Sequence, residues 1–341
     1  MDGLQTACTK AQDALWKRFF SEKAGVMENH YPVRKEENWI YWWHAHVLDA
    51  LLDGYVRTKE PVYRERFDEE YRGTFRCNGN TFLHNWYDDM EWMALALLRA
   101  WDIFGDEQYK RDVLVIWEDI KTAWNDFCGG GLAWKKDQLD YKNTPANAPA
   151  AILAFRLYQR FHNPEDLEWG RRIFEWNKEN LMDPETYFVW DGMNREGDGR
   201  IDKDWKFTYC QGVMLGAALE YYRICGDSEY LELAEKIACR AVKELAGEDG
   251  IFNVEGKDDC GLFRGIYFRY VRELVREVPE RENGLREIIK INAEAVEKAA
   301  NQDGLIGNEW REQSDGEIDL AQHLSGVMVL EMEESIVGKH A

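Results

Sequence analysis

The chain has 341 residues, with 43 Lys and Arg against 64 Asp and Glu, for a formal net charge of −21. That acidic excess argues against non-specific binding to nucleic acid or anionic lipid, which requires basic patches, and favours neutral or cationic partners. The seven cysteines are odd in number, widely spaced and without a C-x-x-C pair, so free thiols fit better than a disulfide framework or a zinc site.

The opening Met1-Asp2-Gly3-Leu4 has neither the basic nor the apolar region of a signal peptide, and no segment reaches membrane-spanning length without charges. The expectation is a soluble, cytoplasmic protein. Apolar periodicity predicts about twelve helices, at roughly 3–22, 38–57, 60–76, 88–104, 107–126, 145–162, 164–182, 209–225, 228–246, 260–277, 283–301 and 315–334. In the fourth, Met90, Met93, Ala94, Leu97, Leu98 and Trp101 follow helical spacing, and Arg99 is the only charge from Trp92 to Trp101. Such a helix is buried nearly all round. The eighth (Gly212 to Leu219) and the twelfth (Gly326 to Leu330) are similarly apolar, whereas the ninth sets Leu233, Ala234, Ile237, Ala238, Ala241 and Val242 against Glu232, Glu235, Lys236 and Arg240.

Buried helices alternating with amphipathic ones imply an inner ring within an outer ring. The fold expected is all-α, an (α/α)6 barrel of six helical hairpins forming one domain over 1–341. Inner helices would begin near Asn38, Asp88, Asn143, Tyr209, Asp259 and Asp315, and antiparallel neighbours would bring all six starts to one end. The longest non-helical stretches are Cys128 to Trp134, expected to form a short hairpin over the barrel mouth, and Tyr187 to Lys206.

At the mouth of the fourth helix two adjacent acids, Asp88 and Asp89, sit among Trp86, Tyr87 and Trp92. Capping alone would explain one of them: Asp is a favoured N-cap, and Asp88 with Glu91 has capping-box spacing. The aromatic content, 15 Trp, 16 Tyr and 15 Phe, suits a packed core and also a sugar-binding surface, because pyranose C–H faces stack on rings while hydroxyls take hydrogen bonds.

The run Phe82-Leu83-His84-Asn85-Trp86-Tyr87-Asp88-Asp89-Met90-Glu91-Trp92-Met93-Ala94-Leu95-Ala96 resembles the signature of glycoside hydrolase family 76, the α-1,6-mannanases. The resemblance continues through Trp124-Asn125-Asp126, Gly129-Gly130-Gly131-Leu132-Ala133-Trp134, Tyr141-Lys142-Asn143 with Asn147, Trp190-Asp191-Gly192, Tyr209-Cys210-Gln211-Gly212 and Phe263 to Tyr270. It implies an (α/α)6 barrel that cleaves α-1,6-mannosidic bonds with retention, with Asp88 as nucleophile and Asp89 as general acid/base. Cys210 departs from the pattern, where an amide-type residue is more usual.

The chemistry fits that assignment. Retention needs one ionised and one protonated carboxyl roughly 5–5.5 Å apart, and neighbours within a regular helix do not face each other, so the pair belongs at the helix entry. N-terminal N–H groups favour an ionised Asp88, and its charge favours a protonated Asp89. Trp43, Tyr87, Trp134 and Trp310 are candidate sugar-stacking platforms. Asn143, Asp191, Tyr209, Gln211, Asp259 and Arg311 are candidate hydroxyl-binding groups, Asp191 foremost among them.

No metal or cofactor is called for. His44 and His46 point about 200° apart on a helix and make a poor metal pair. Asn194 to Asp202 has the acids and glycines of a calcium loop, but its twelfth position is Trp205 rather than Glu. Gly129-Gly130-Gly131 lacks the rest of a phosphate loop. The expected partner is an α-mannan or mannooligosaccharide, and a cytoplasmic location would favour imported oligosaccharides. An α-mannosyl transglycosylase would share the covalent intermediate, and a non-catalytic carbohydrate-binding protein would need no acid pair. A uronide hydrolase or epimerase finds no basic cluster and no suitably placed histidine pair.

Overall fold

The computed structural model describes residues 3–34, 39–279 and 284–338. The described chain contains twelve α-helices: α1 (Gly3–Phe19), α2 (Tyr41–Thr58), α3 (Pro61–Cys77), α4 (Tyr87–Phe104), α5 (Glu107–Lys121), α6 (Thr144–Phe161), α7 (Pro164–Leu181), α8 (Thr208–Cys225), α9 (Ser228–Leu245), α10 (Phe263–Glu277), α11 (Leu285–Ala299) and α12 (Leu320–Val337). Seven short strands accompany them: β1 (Phe20–Ser21), β2 (Val26–Met27), β3 (His30–Tyr31), β4 (Ala133–Lys135), β5 (Gln138–Asn143), β6 (Gly192–Met193) and β7 (Ile318–Asp319). No helix among the described residues is long and apolar enough to cross a membrane.

Backbone packing divides the chain into two compact units, Met1–Thr81 with Ala246–Ala341, and Phe82–Leu245. In the first unit α12 is central, packed by α1, α2, α10 and α11. It can be central because it is buried along most of its length, from Leu320 to Glu334. Its buried Glu331 is met by the Arg57 guanidinium at 2.9 and 3.1 Å, so the charge is paired where water is excluded. In the second unit α6 lies between α4 and α8, and α5, α7 and α9 each pack on the helix before them. The amphipathic reading of α9 holds: Leu233, Ala234, Ile237, Ala238 and Ala241 are buried, while Glu232 and Lys236 are exposed. Each large apolar side chain fully buried in this way contributes about 1.5–3 kcal/mol.

Several helix ends differ from the sequence reading: α5 stops at Lys121 rather than near 126, where Trp124 bridges Leu132, and α10 starts at Phe263 rather than near 260, after a 3-10 turn over Asp258–Leu262. Helix α1 stops at Phe19, where β1 pairs antiparallel with β2. Helix α12 starts at Leu320 rather than near Asp315, since Ile318 and Asp319 pair with Tyr31 and His30. Helix α4 starts at Tyr87, not Asp88: Trp86 is extended (φ −89°, ψ 128°) and bridges Lys135, while the Lys136 amide donates to the Asn85 carbonyl at 3.0 Å. Asp88 is therefore a first-turn residue rather than the N-cap. The expected start of α2 at Asn38 lies outside the described residues. The expected hairpin exists and begins slightly later, as β4–β5 extended by β6.

Candidate active site

The second unit gathers the acid pair and its neighbours from α4, the β4–β5 hairpin and the segment leading into α8. Asp88 and Asp89 occupy the second and third positions of α4 and leave it toward different partners. One Asp88 oxygen accepts the Asp89 amide at 3.0 Å and the other accepts the Trp134 indole N–H at 2.9 Å. Together with the helix N-terminus, these donors stabilise negative charge on Asp88. Asp89 has a different neighbour, the His84 Nδ1 at 3.2 Å from its Oδ2, and His84 is in turn stacked on Trp86 with ring centroids 5.1 Å apart. Burial holds the His84 pKa below its ordinary value; Asp88 opposes this and Lys136 reinforces it. One turn into α4, Glu91 is completely buried. Its carboxyl is pushed well above the usual range by burial and then by Asp88.

Trp134 is placed by a tethered loop. Buried Lys142 donates to Asn125 Oδ1 at 2.8 Å and to the Gly131 carbonyl at 2.7 Å, while Asn147 binds both the amide and the carbonyl of Leu132 at 2.7 and 3.1 Å. Burial brings the Lys142 pKa down to about 8. The Trp134 ring meets Tyr141 edge-on at 5.6 Å, and Tyr141 donates to Asp191 Oδ2 at 3.0 Å. The other Asp191 oxygen accepts from Tyr209 at 2.8 Å and from the Cys210 thiol at 3.6 Å. Burial raises the Asp191 pKa, opposed by the bonds from Tyr209, Tyr141 and Cys210. Gly192 is required here: a Cβ at this position would lie 2.4 Å from the Tyr141 hydroxyl oxygen.

Of the residues singled out in the sequence, Asp88, Asp89, Trp134, Asp191 and Tyr209 thus form one connected group. Others in this unit serve the framework. Tyr87 is buried, with its hydroxyl 3.3 Å from Thr122 Oγ1. Asn143 caps α6 through the Ala146 amide at 3.3 Å. Gln211 clamps Val189 through that residue's amide and carbonyl at 2.9 and 2.6 Å. In the first unit, Trp43 is completely buried and, with Trp42, donates to one oxygen of Asp259, at 2.9 and 3.0 Å respectively. Trp310 is buried beneath the Arg264 guanidinium, 3.7 Å from the ring centroid. Arg311 pairs with Asp249 at 2.8 and 2.9 Å. His84, Tyr141 and Lys142 were not singled out as site residues. The signal for His84 was its place in the same motif, shortly before the acids in the segment leading into α4.

The acids of the calcium-like stretch are engaged by arginines, Asp202 by Arg195 and Asp198 by Arg200. Among the described residues one group, His30, Asp258 and Asp319, brings ligand atoms within 4.8 Å of one another. Arg34 already places a guanidinium nitrogen 2.8 Å from His30 Nε2 there, which disfavours a cation.

A family model described as Glycosyl hydrolase family 76 matches residues 4–336. The chain belongs to that family. It is a glycoside hydrolase, and its relatives agree. A crystal structure of a protein from Listeria innocua is 39% identical, covers 98% of this chain and 97% of its own, and gives a TM-score of 0.93. The GH76A alpha-1,6-mannanase from Salegentibacter sp. is 36% identical over 98% of this chain and 99% of that one, also at 0.93. An inactive variant of that enzyme, with two consecutive aspartates replaced by asparagine, is solved in complex with alpha-1,6-mannotriose. The mannan endo-1,6-alpha-mannosidase of Saccharomyces cerevisiae is 26% identical over 325 residues, covering 85% of this chain and 71% of that protein. These likenesses place this family 76 hydrolase in the (α/α)6-barrel fold class expected from its helix pattern.

Proposed function

We propose that this family 76 hydrolase cleaves α-1,6-mannosidic bonds of mannan or mannooligosaccharides with retention of configuration, using Asp88 as nucleophile and Asp89 as general acid/base. The observation that carries the reading is the pair itself: consecutive carboxylates in the first turn of α4, one receiving two N–H donors and the other facing an imidazole. Relatives named as α-1,6-mannanases, one inactivated at two consecutive aspartates, support the substrate and the pair.

In the first step ionised Asp88 attacks the anomeric carbon and forms a glycosyl–enzyme ester, while Asp89 gives its proton to the departing sugar oxygen. Neutral His84 is placed to accept a hydrogen bond from Asp89 while the proton is held there. In the second step water attacks the ester, Asp89 takes the water's proton, and Asp88 leaves as the carboxylate. The proton returns to Asp89, and no cofactor is consumed.

Purified protein is expected to release reducing sugar from linear α-1,6-mannan. D88N and D89N should each lower kcat/KM by about 10³-fold or more with the melting temperature nearly unchanged. No release by the native protein from any α-1,6-mannan would refute the substrate, and full activity in either variant would refute its assigned role.

A further inference from the structure

Trp205 lies in the long loop between β6 and α8, and it is 42% exposed, among the largest hydrophobic residues left in water. A single exposed tryptophan is usually unremarkable. This one has two fixed neighbours. The Arg195 guanidinium carbon sits 3.1 Å from its ring centroid, and Arg195 is fixed by Asp202 through Nε at 3.3 Å and Nη2 at 3.0 Å. Phe207 packs beside it, tilted by 55° with ring centroids 5.9 Å apart.

Both supports lead to the same carboxylate. Arg195 also rests 5.6 Å from the Tyr141 ring centroid, and Tyr141 donates to Asp191. Phe207 meets Tyr209 at 5.9 Å, and Tyr209 donates to Asp191 as well. Tyr141 continues through Trp134 to Asp88. The loop backbone is pinned too: the Asn194 side chain donates to the Asp140 carbonyl and accepts the Gly199 amide, both at 2.8 Å, and the Asp202 amide donates to the Gly192 carbonyl at 2.8 Å. An indole ordered before any ligand arrives loses little entropy on binding.

We propose that Trp205 is a separate sugar-binding platform of this enzyme, stacking a mannosyl unit of the substrate chain distant from the scissile bond, with Arg195 backing the ring. The occupant is a neutral pyranose, since the Arg195 guanidinium at the ring is already paired with Asp202. The inference rests on the α-1,6-mannan reading above and adds that long chains are gripped beyond the catalytic pair.

Calorimetric titration of the D88N/D89N protein with α-1,6-mannooligosaccharides of two to eight units tests it, beside the same protein carrying W205A or W205F. Affinity should rise at one chain length in the Trp205 protein. W205A should remove that increment, about fivefold to tenfold, and W205F should restore part of it. An increment unchanged in W205A would overturn the proposal. So would an equal loss at every length, because Trp205 would then act only by supporting Asp191. The α-1,6-mannan reading is judged separately, by cleavage with the native enzyme, so a native enzyme that cleaves mannan while W205A binds normally refutes this inference alone.

Discussion

His84 and Glu91 flank the aspartate pair, and burial moves them in opposite directions, each toward its neutral form. A neutral imidazole 3.2 Å from Asp89 accepts its acid proton and so favours the protonated form required of a general acid. H84F should therefore move the alkaline limb of kcat/KM to lower pH; a move to higher pH would show that His84 acts as a cation instead. Glu91 gives a stability prediction. Its folded pKa lies well above the ordinary 4.5, so its contribution is fully present below that value and is lost as pH rises toward the folded pKa, by up to about 1.4 kcal/mol per pH unit. E91Q removes this loss. The melting-temperature difference between E91Q and the native protein should grow in favour of E91Q from pH 4.5 upward, and a flat difference would show that Glu91 is ionised in the fold.

At the scale of elements, the helices were legible because their signal is local: Met90, Met93, Ala94 and Leu97 mark α4 by spacing alone. The start of α4 was read one residue late because Asp88 resembles an N-cap, whereas that place is taken by Trp86, held extended by Lys135, a partner distant in sequence. For the same reason aromatic residues gave a mixed result. Trp134 donates to Asp88, whereas Trp43 and Trp310 are core, and residue type does not distinguish a wall from a core. Tyr141 and Lys142 belonged to the resemblance but were assigned no role, because their roles arise from the β4–β5 and β5–β6 pairings. Those pairings leave no room at Gly192. G192A should push Tyr141 off Asp191, costing about 1–3 kcal/mol in a denaturant melt; unchanged stability and activity would show that the hairpin relaxes freely.

For the whole molecule, six helical hairpins and seven cysteines outside any disulfide follow from composition and period, and the family match extends over residues 4–336. The net charge of −21 suits a neutral polymer as substrate. The central claim is that the two adjacent carboxylates carry out a double displacement on an α-1,6-mannosidic bond. Proton NMR of the first products from linear α-1,6-mannan tests it most directly. The account predicts that the new reducing ends appear first as the α-anomer and reach the β-anomer only by later mutarotation. Initial release of the β-anomer would contradict it, showing a single displacement by water and removing Asp88 as nucleophile.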